Sequence, residues 1–274
     1  MTMATGRHAG AAAHHTVEGT DPGLNVQTLE PDDAAALPPV LLIHGFASSV
    51  ALNWEQSGWI PALLEAGRRV IAVDLPGHGL SAAPEDVDSY SPSRIRADLL
   101  QIATDAGARP LIAGHPDTGL DVIGYSLGSR LAWEFGATQP ALVRRLVLGG
   151  PSGRDPLAEF DLAAAQRFLA DGTPIEDEST AALVTMALAS PGSDMYALLS
   201  LVEAIKEEPF DAAEAVPRQP ILIVAGEKDE RAAGIEALHG LVPQAQVVLV
   251  PGRNHVNAVT ARAFKQAAIE FLAG

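Results

Sequence analysis

Leu120-Asp121-Val122-Ile123-Gly124-Tyr125-Ser126-Leu127-Gly128 passes from an apolar segment into a serine framed by glycines, and an Ala-containing helical stretch follows. A G-x-S-x-G elbow sets its serine on a sharp strand-to-helix turn, where small flanking residues let two backbone segments approach closely enough to hold strained dihedrals. The hydroxyl then projects above the sheet. Beside it lie the first N–H groups of the helix, which lack intrahelical partners and can stabilise a developing oxyanion. With 25 Gly and 14 Ser in 274 residues, about 0.1 matches to the pentapeptide arise by chance, so its surroundings must carry the reading.

Working outward, short runs rich in Val, Ile and Leu recur at 40–44, 70–74, 120–124, 146–149, 221–225 and 247–250, with helical stretches between them. Strands of a parallel sheet are covered on both faces by crossover helices and read as continuous apolar runs. The pattern therefore predicts an α/β fold on a mostly parallel, doubly wound sheet, with residues 24–29 as an antiparallel edge strand. Helices are expected over 54–66, 92–106, 126–137 and 261–273. The alternation is interrupted once. From 157 to 215 no strand is read, and Met195, Leu198, Leu199, Val202 and Ile205 recur at helical spacing. This gives a core of 17–154 and 218–274, an inserted helical cap at 155–217, and a flexible tail at 1–16. The tail histidines His8, His14 and His15 are read as a terminal cluster and not as a metal site.

Composition narrows the chemistry. There is no cysteine, hence no disulfide or thiolate metal site, and no metal or cofactor is expected. No signal peptide or membrane span of about 20 residues is read, so the expectation is a cytoplasmic protein that binds no membrane. A net charge of −16 argues against nucleic-acid binding, which needs clustered Lys and Arg. Residues 155–217 hold 13 acidic and 2 basic side chains, most of that excess. The charge suits a solvated outer face, and near a pocket entrance it would disfavour anionic substrates.

A nucleophilic serine needs a base and a carboxylate that orients the base. Asp229 follows the run at 221–225 and His255 follows that at 247–250, so both stand at C-terminal strand ends, where the loops of an open parallel sheet converge. Directly after the first parallel run comes His44-Gly45-Phe46, where a backbone N–H can complete an oxyanion hole with that of Leu127. Asp155, shortly after the run ending at 149, is the rival carboxylate. His78, in Pro76-Gly77-His78-Gly79, reads as a turn residue, His44 as packing beside the oxyanion loop, and His115 and His239 as surface residues.

With these residues in hand the chain resembles the α/β-hydrolase fold family, from about residue 17 onward. The resemblance rests on His44-Gly45-Phe46, on Asp74-Leu75-Pro76-Gly77-His78-Gly79-Leu80-Ser81, on the elbow, on Gly226-Glu227-Lys228-Asp229 and on Asn254-His255. It implies Ser126 as nucleophile, His255 as general base, Asp229 as orienting acid, and Phe46 and Leu127 as oxyanion amides, with Phe46, Leu127 and Val256 at the substrate pocket. Two departures are Ser129 after the elbow, where many relatives carry glycine, and a longer 108–118 segment. A serine at the elbow speaks against the epoxide hydrolases and haloalkane dehalogenases of the family, which use aspartate there. The implied activity is hydrolysis of a carboxylic ester or lactone of a small to medium, mainly apolar molecule. C–C bond hydrolysis, perhydrolysis, acyl transfer or a non-catalytic binding role on the same scaffold stay open.

Overall fold

The computed structural model describes residues 13–16 (as backbone), 23–33, 37–155, 157–230 and 234–274. Its described strands are β1 (Ala13–Thr16), β2 (Asn25–Leu29), β3 (Val40–Ile43), β4 (Val70–Val73), β5 (Leu120–Tyr125), β6 (Val143–Gly149), β7 (Ile221–Gly226) and β8 (Gln246–Val250). They form one sheet in the order β1-β2-β4-β3-β5-β6-β7-β8. The β1–β2 and β2–β4 pairs are antiparallel and every later pair is parallel.

Successive residues of a strand point to opposite faces, and here both faces are apolar. Val40 and Leu42 enter one core with Trp59 and Leu63 of α1 (Trp59–Glu65) and Phe264 and Phe271 of α8 (Arg262–Ala273). Leu41 and Ile43 enter the other, with Leu99 of α2 (Pro92–Asp105) and Leu131 and Phe135 of α3 (Leu127–Thr138). This is why the strands read as unbroken apolar runs and why β5, at the middle of the sheet, is buried along its whole length.

Two expectations need correction. Ala13–Thr16, read as the end of a tail, pairs with β2 and so takes up backbone groups that an edge strand would leave open; residues 1–12 lie outside the described residues. The helix expected over 54–66 is two elements, a wide turn at Ala51–Glu55 and then α1. They are separated by Gly58, whose φ of 77° lies in the left-handed region that ends helices.

Between β6 and β7 stand α4 (Leu162–Asp171), α5 (Glu178–Ala189) and α6 (Met195–Glu207), with no strand among the described residues there. Each begins on an aspartate whose carboxylate accepts the backbone N–H three residues on: Asp161 from Ala164 at 2.8 Å, Asp177 from Thr180 at 2.6 Å, Asp194 from Ala197 at 3.1 Å. Part of the insertion's acidity is thus helix capping. The insertion is fastened to α3 by Arg130, in the first turn after the elbow. One guanidinium nitrogen binds the Asp155 carboxylate and another donates to the Glu208 carbonyl, while the Phe210 ring lies 5.5 Å away. One side chain holds both the entry and the exit of the insertion.

Arg130→Ala leaves the buried Asp155 carboxylate without its cation, a change that costs about 3–5 kcal/mol. Denaturant unfolding should show a loss of that size, with Asp155→Asn costing less because no bare charge is left behind.

Candidate active site

Ser126 sits at the end of β5 with φ 54° and ψ −114°, one of two non-glycine residues with positive φ among those described. Close approach holds it there. A Cβ on Gly124 would come within 2.1 Å of the Gly128 carbonyl oxygen, and one on Gly128 within 2.1 Å of that of Ile43. Ser129, the departure noted from sequence, bridges the crossing: its hydroxyl donates to the carbonyls of Gly124 and Gly149, both at 2.8 Å. The Ser126 N–H donates to the same Gly149 carbonyl at 2.8 Å.

The three residues picked from strand ends meet. His255 Nε2 is 2.9 Å from Ser126 Oγ, and His255 Nδ1 is 2.8 Å from Asp229 Oδ2, with the Asp229 side chain buried. The two loops that carry them are laced together: Glu227 N–H donates to the Val250 carbonyl at 3.0 Å and Lys228 N–H to the Arg253 carbonyl at 2.8 Å. Gly226 permits this, since a Cβ there would lie 2.2 Å from the Arg253 oxygen. Tyr125, whose role sequence reading missed, donates its hydroxyl to the His255 carbonyl at 2.5 Å. Its signal was available in hindsight, as the one polar ring in the elbow.

Asp155 is not in this cluster. Its carboxylate belongs to Arg130 and also accepts the Leu157 N–H at 3.0 Å. His115 is exposed and His239 lies half-buried in α7 (Ile235–Leu241).

His44 and His78 are both fully buried and stack edge to face at 5.0 Å. The Leu75 N–H donates to His44 Nε2 at 3.0 Å and the Ala47 N–H to His78 Nε2 at 3.2 Å. Their Nδ1 atoms face the carbonyls of Gly45 and Pro76, both at 2.8 Å, which places the proton on Nδ1 and leaves each ring neutral. Burial lowers both pKa values, that of His78 to about 3, with His44 beside it as the second cause. His78, read as a turn residue, therefore also supports the Gly45–Ala47 loop, as His44 does. Neither the Phe46 nor the Leu127 amide has a hydrogen-bond partner among the described residues.

Over Ser126 opens a cavity of about 550 Å³. Phe46, Leu127 and Val256 line it, joined by Leu52 and Val259 and, from the insertion, by Leu157 and by Leu183 and Met186 of α5. No Asp, Glu, Lys or Arg among the described residues lines it.

A family model described as the alpha/beta hydrolase fold matches residues 38–183, more than half of the chain. The chain belongs to the α/β-hydrolase fold family, a family of enzymes. It is 38% identical over 102 residues to epoxide hydrolase A of Mycobacterium tuberculosis, covering 37% of this chain and 30% of that one. A putative 2-succinyl-6-hydroxy-2,4-cyclohexadiene-1-carboxylate synthase of Bacillus subtilis is 26% identical over 268 residues, 85% of this chain and 89% of that one. A solved structure from a study of carboxylesterases of Nitrososphaera gargenis superposes with a TM-score of 0.73 at 16% identity, over 95% of this chain and 98% of that one. The chain spans between 17% and 34% of the length of the first four curated relatives.

A histidine kept neutral when folded takes up a proton when the chain unfolds, so its contribution is full above 6.5 and is lost as pH falls from there toward about 3. For His78 alone the loss amounts to at most roughly 5 kcal/mol, and His44 acts in the same direction. Tm measured from pH 7 down to pH 4 should drop steeply in the wild type and less steeply in His78→Gln.

Proposed function

We propose that the chain is a serine hydrolase that cleaves a neutral carboxylic ester or lactone through an acyl-Ser126 intermediate. The observation that carries this reading is the unbroken hydrogen-bond chain from Asp229 through His255 to Ser126, opening into a cavity without charged walls. As Oγ attacks the acyl carbon, His255 Nε2 takes its proton, and Asp229 stabilises the imidazolium and fixes the tautomer. The carbonyl oxygen, now negative, is received by the amides of Phe46 and Leu127. His255 returns the proton to the leaving alkoxide. It then draws one from water, whose oxygen attacks the acyl carbon and releases Ser126.

The similarity to epoxide hydrolases does not extend to their chemistry. A serine oxygen that opened an epoxide would form a dialkyl ether, which this machinery has no means to hydrolyse, whereas a carboxylate forms an ester that water can cleave. Ser126 therefore points to an acyl carbonyl. The uncharged cavity favours a neutral substrate, since a carboxylate moved into it would lose its hydration with no cation in return. In this reading the insertion is a cap, with α5 forming the cavity roof over Ser126.

A fluorophosphonate should label Ser126, located by peptide mass mapping; an unlabelled chain under conditions that modify a known serine esterase would point to a binding protein. On p-nitrophenyl esters, Ser126→Ala and His255→Ala should each lower kcat by about 10⁵–10⁶ and Asp229→Asn by about 10⁴. If Asp155→Asn removes activity and Asp229→Asn does not, the assignment of the acid is wrong.

A further inference from the structure

The wall of the Ser126 cavity holds an amide whose donor the fold leaves unused. Asn53 is buried and lines the cavity, and its Nδ2 has no hydrogen-bond partner among the described residues. Its neighbour decides which end of the amide is which: the Gly45 N–H donates to Oδ1 at 3.4 Å, so the nitrogen is the group left over. Tyr125, Ser190 and Thr260 on the same wall already donate, to the carbonyls of His255 at 2.5 Å, Ala47 at 2.7 Å and Asn257 at 2.9 Å. Asn53 stands in the wide turn Ala51–Glu55, closed by the Gln56 N–H on the Ala51 carbonyl five residues back at 3.0 Å. Such turns are rare and recur at functional sites. The backbone here is held, since the Asn53 N–H donates to the Ser49 carbonyl at 2.8 Å and the Ser57 hydroxyl to the Asn53 carbonyl at 2.5 Å. Only the side chain has freedom to turn.

A buried donor without an acceptor is unfavourable, and the cavity is the side from which an acceptor can come. We propose that Asn53 is a specificity residue whose Nδ2 donates to a second, uncharged oxygen of the substrate, a ketone, ether or further ester oxygen a few bonds from the scissile carbonyl. The inference rests on the serine-hydrolase reading and names the substrate class within it. Nδ2 lies beneath the cavity surface in the unliganded chain. The bond that holds Oδ1 is long, so a small rotation of the side chain brings the N–H to a ligand at little cost. Gly45 links the amide to the nucleophile, because a Cβ on it would come within 3.2 Å of Ser126 Cβ. The donor thus stands one residue's width from the reacting carbonyl, whose oxyanion falls to Phe46 and Leu127. A neutral acceptor fits, since no cation on the wall would offset a carboxylate. A substrate lacking that oxygen leaves the donor unpaired and is rejected accordingly.

Two measurements test it. The p-nitrophenyl esters of methoxyacetate, 3-methoxypropanoate and 4-methoxybutanoate are each paired with the alkanoate of equal chain length, and each ratio of kcat/KM is divided by the ratio of the hydroxide-catalysed rates. For at least one pair the wild-type ratio should exceed that of Asn53→Leu by about tenfold. Asn53→Asp keeps an oxygen for the Gly45 N–H but offers no donor, and its ratio should be no higher than that of the leucine variant. Tm values check folding, with Asn53→Ala used if the leucine variant does not fold. Ratios equal in all the chains overturn the proposal. So does a loss shared equally by both members of every pair, which would make Asn53 a support for Gly45 or a donor to the oxyanion. The second measurement needs no turnover: by calorimetry, Ser126→Ala should favour the same methoxy ester over its partner, and Ser126→Ala/Asn53→Leu should lose about tenfold of that preference. A chain that shows this difference in binding but hydrolyses no ester sinks the Ser126 reading alone. One that hydrolyses the esters with ratios unmoved by Asn53→Leu sinks the role of Asn53 alone.

Discussion

The backbone at Ser126 is held where an L-residue does not go unaided. A φ of 54° with ψ −114° costs of the order of 1–3 kcal/mol, and it persists because neighbours over-determine it. Gly124 and Gly128 bring β5 and the first turn of α3 within van der Waals distance of each other and of β3. Ser129 then ties the crossing to β6 through the Gly149 carbonyl. Three adjacent strands fix one serine, and that is possible only at the middle of the sheet. The positions of the acid and base loops follow, since β6 and β7 must lie beside β5 and β8 beside β7 for Asp229 and His255 to reach it.

What could be read from the sequence was whatever local chemistry dictates. Glycines at 124 and 128, apolar runs buried on both faces and polar residues just past strand ends are each visible within a few residues, and together they located Ser126, Asp229 and His255. What could not be read were contacts between residues far apart with no pattern of their own. Arg130 holding Asp155 and the Glu208 carbonyl spans 78 positions, and Tyr125 reaches His255 across 130. Asp155 and Asp229 look alike as candidate acids because each follows a strand. Only the partner each one finds separates them, a guanidinium for the first and an imidazole for the second.

The insertion's charge also divides by function once partners are known. Asp161, Asp177 and Asp194 serve as helix caps and Asp155 as an anchor, so those carboxylates are structural. Leu183 of α5 faces the cavity, and Ser190, which caps the C-terminal end of the helix, ties it to the loop after β3, its Oγ donating to the Ala47 carbonyl at 2.7 Å. The helix that roofs the cavity is therefore coupled to the loop that carries the Phe46 amide.

That loop is supported from behind by neutral groups, and this bears on catalysis. Oxyanion amides work when the charge they face is the strongest nearby, and an anion in contact with them would compete. Histidine rings held neutral by burial can accept the Ala47 and Leu75 amides without bringing such a charge. The buried Asp74 carboxylate lies 4.0 Å from His44 Nε2. It is occupied by the amides of Val50 at 2.7 Å and Leu80 at 3.0 Å and by the Asn25 side chain at 2.9 Å. Its charge goes to fixing the chain at Val50 and at Leu80. In the proposed reading, replacing either histidine by a carboxylate of similar reach would keep an acceptor in place and still weaken the site, because the new charge would oppose the one that forms on the substrate.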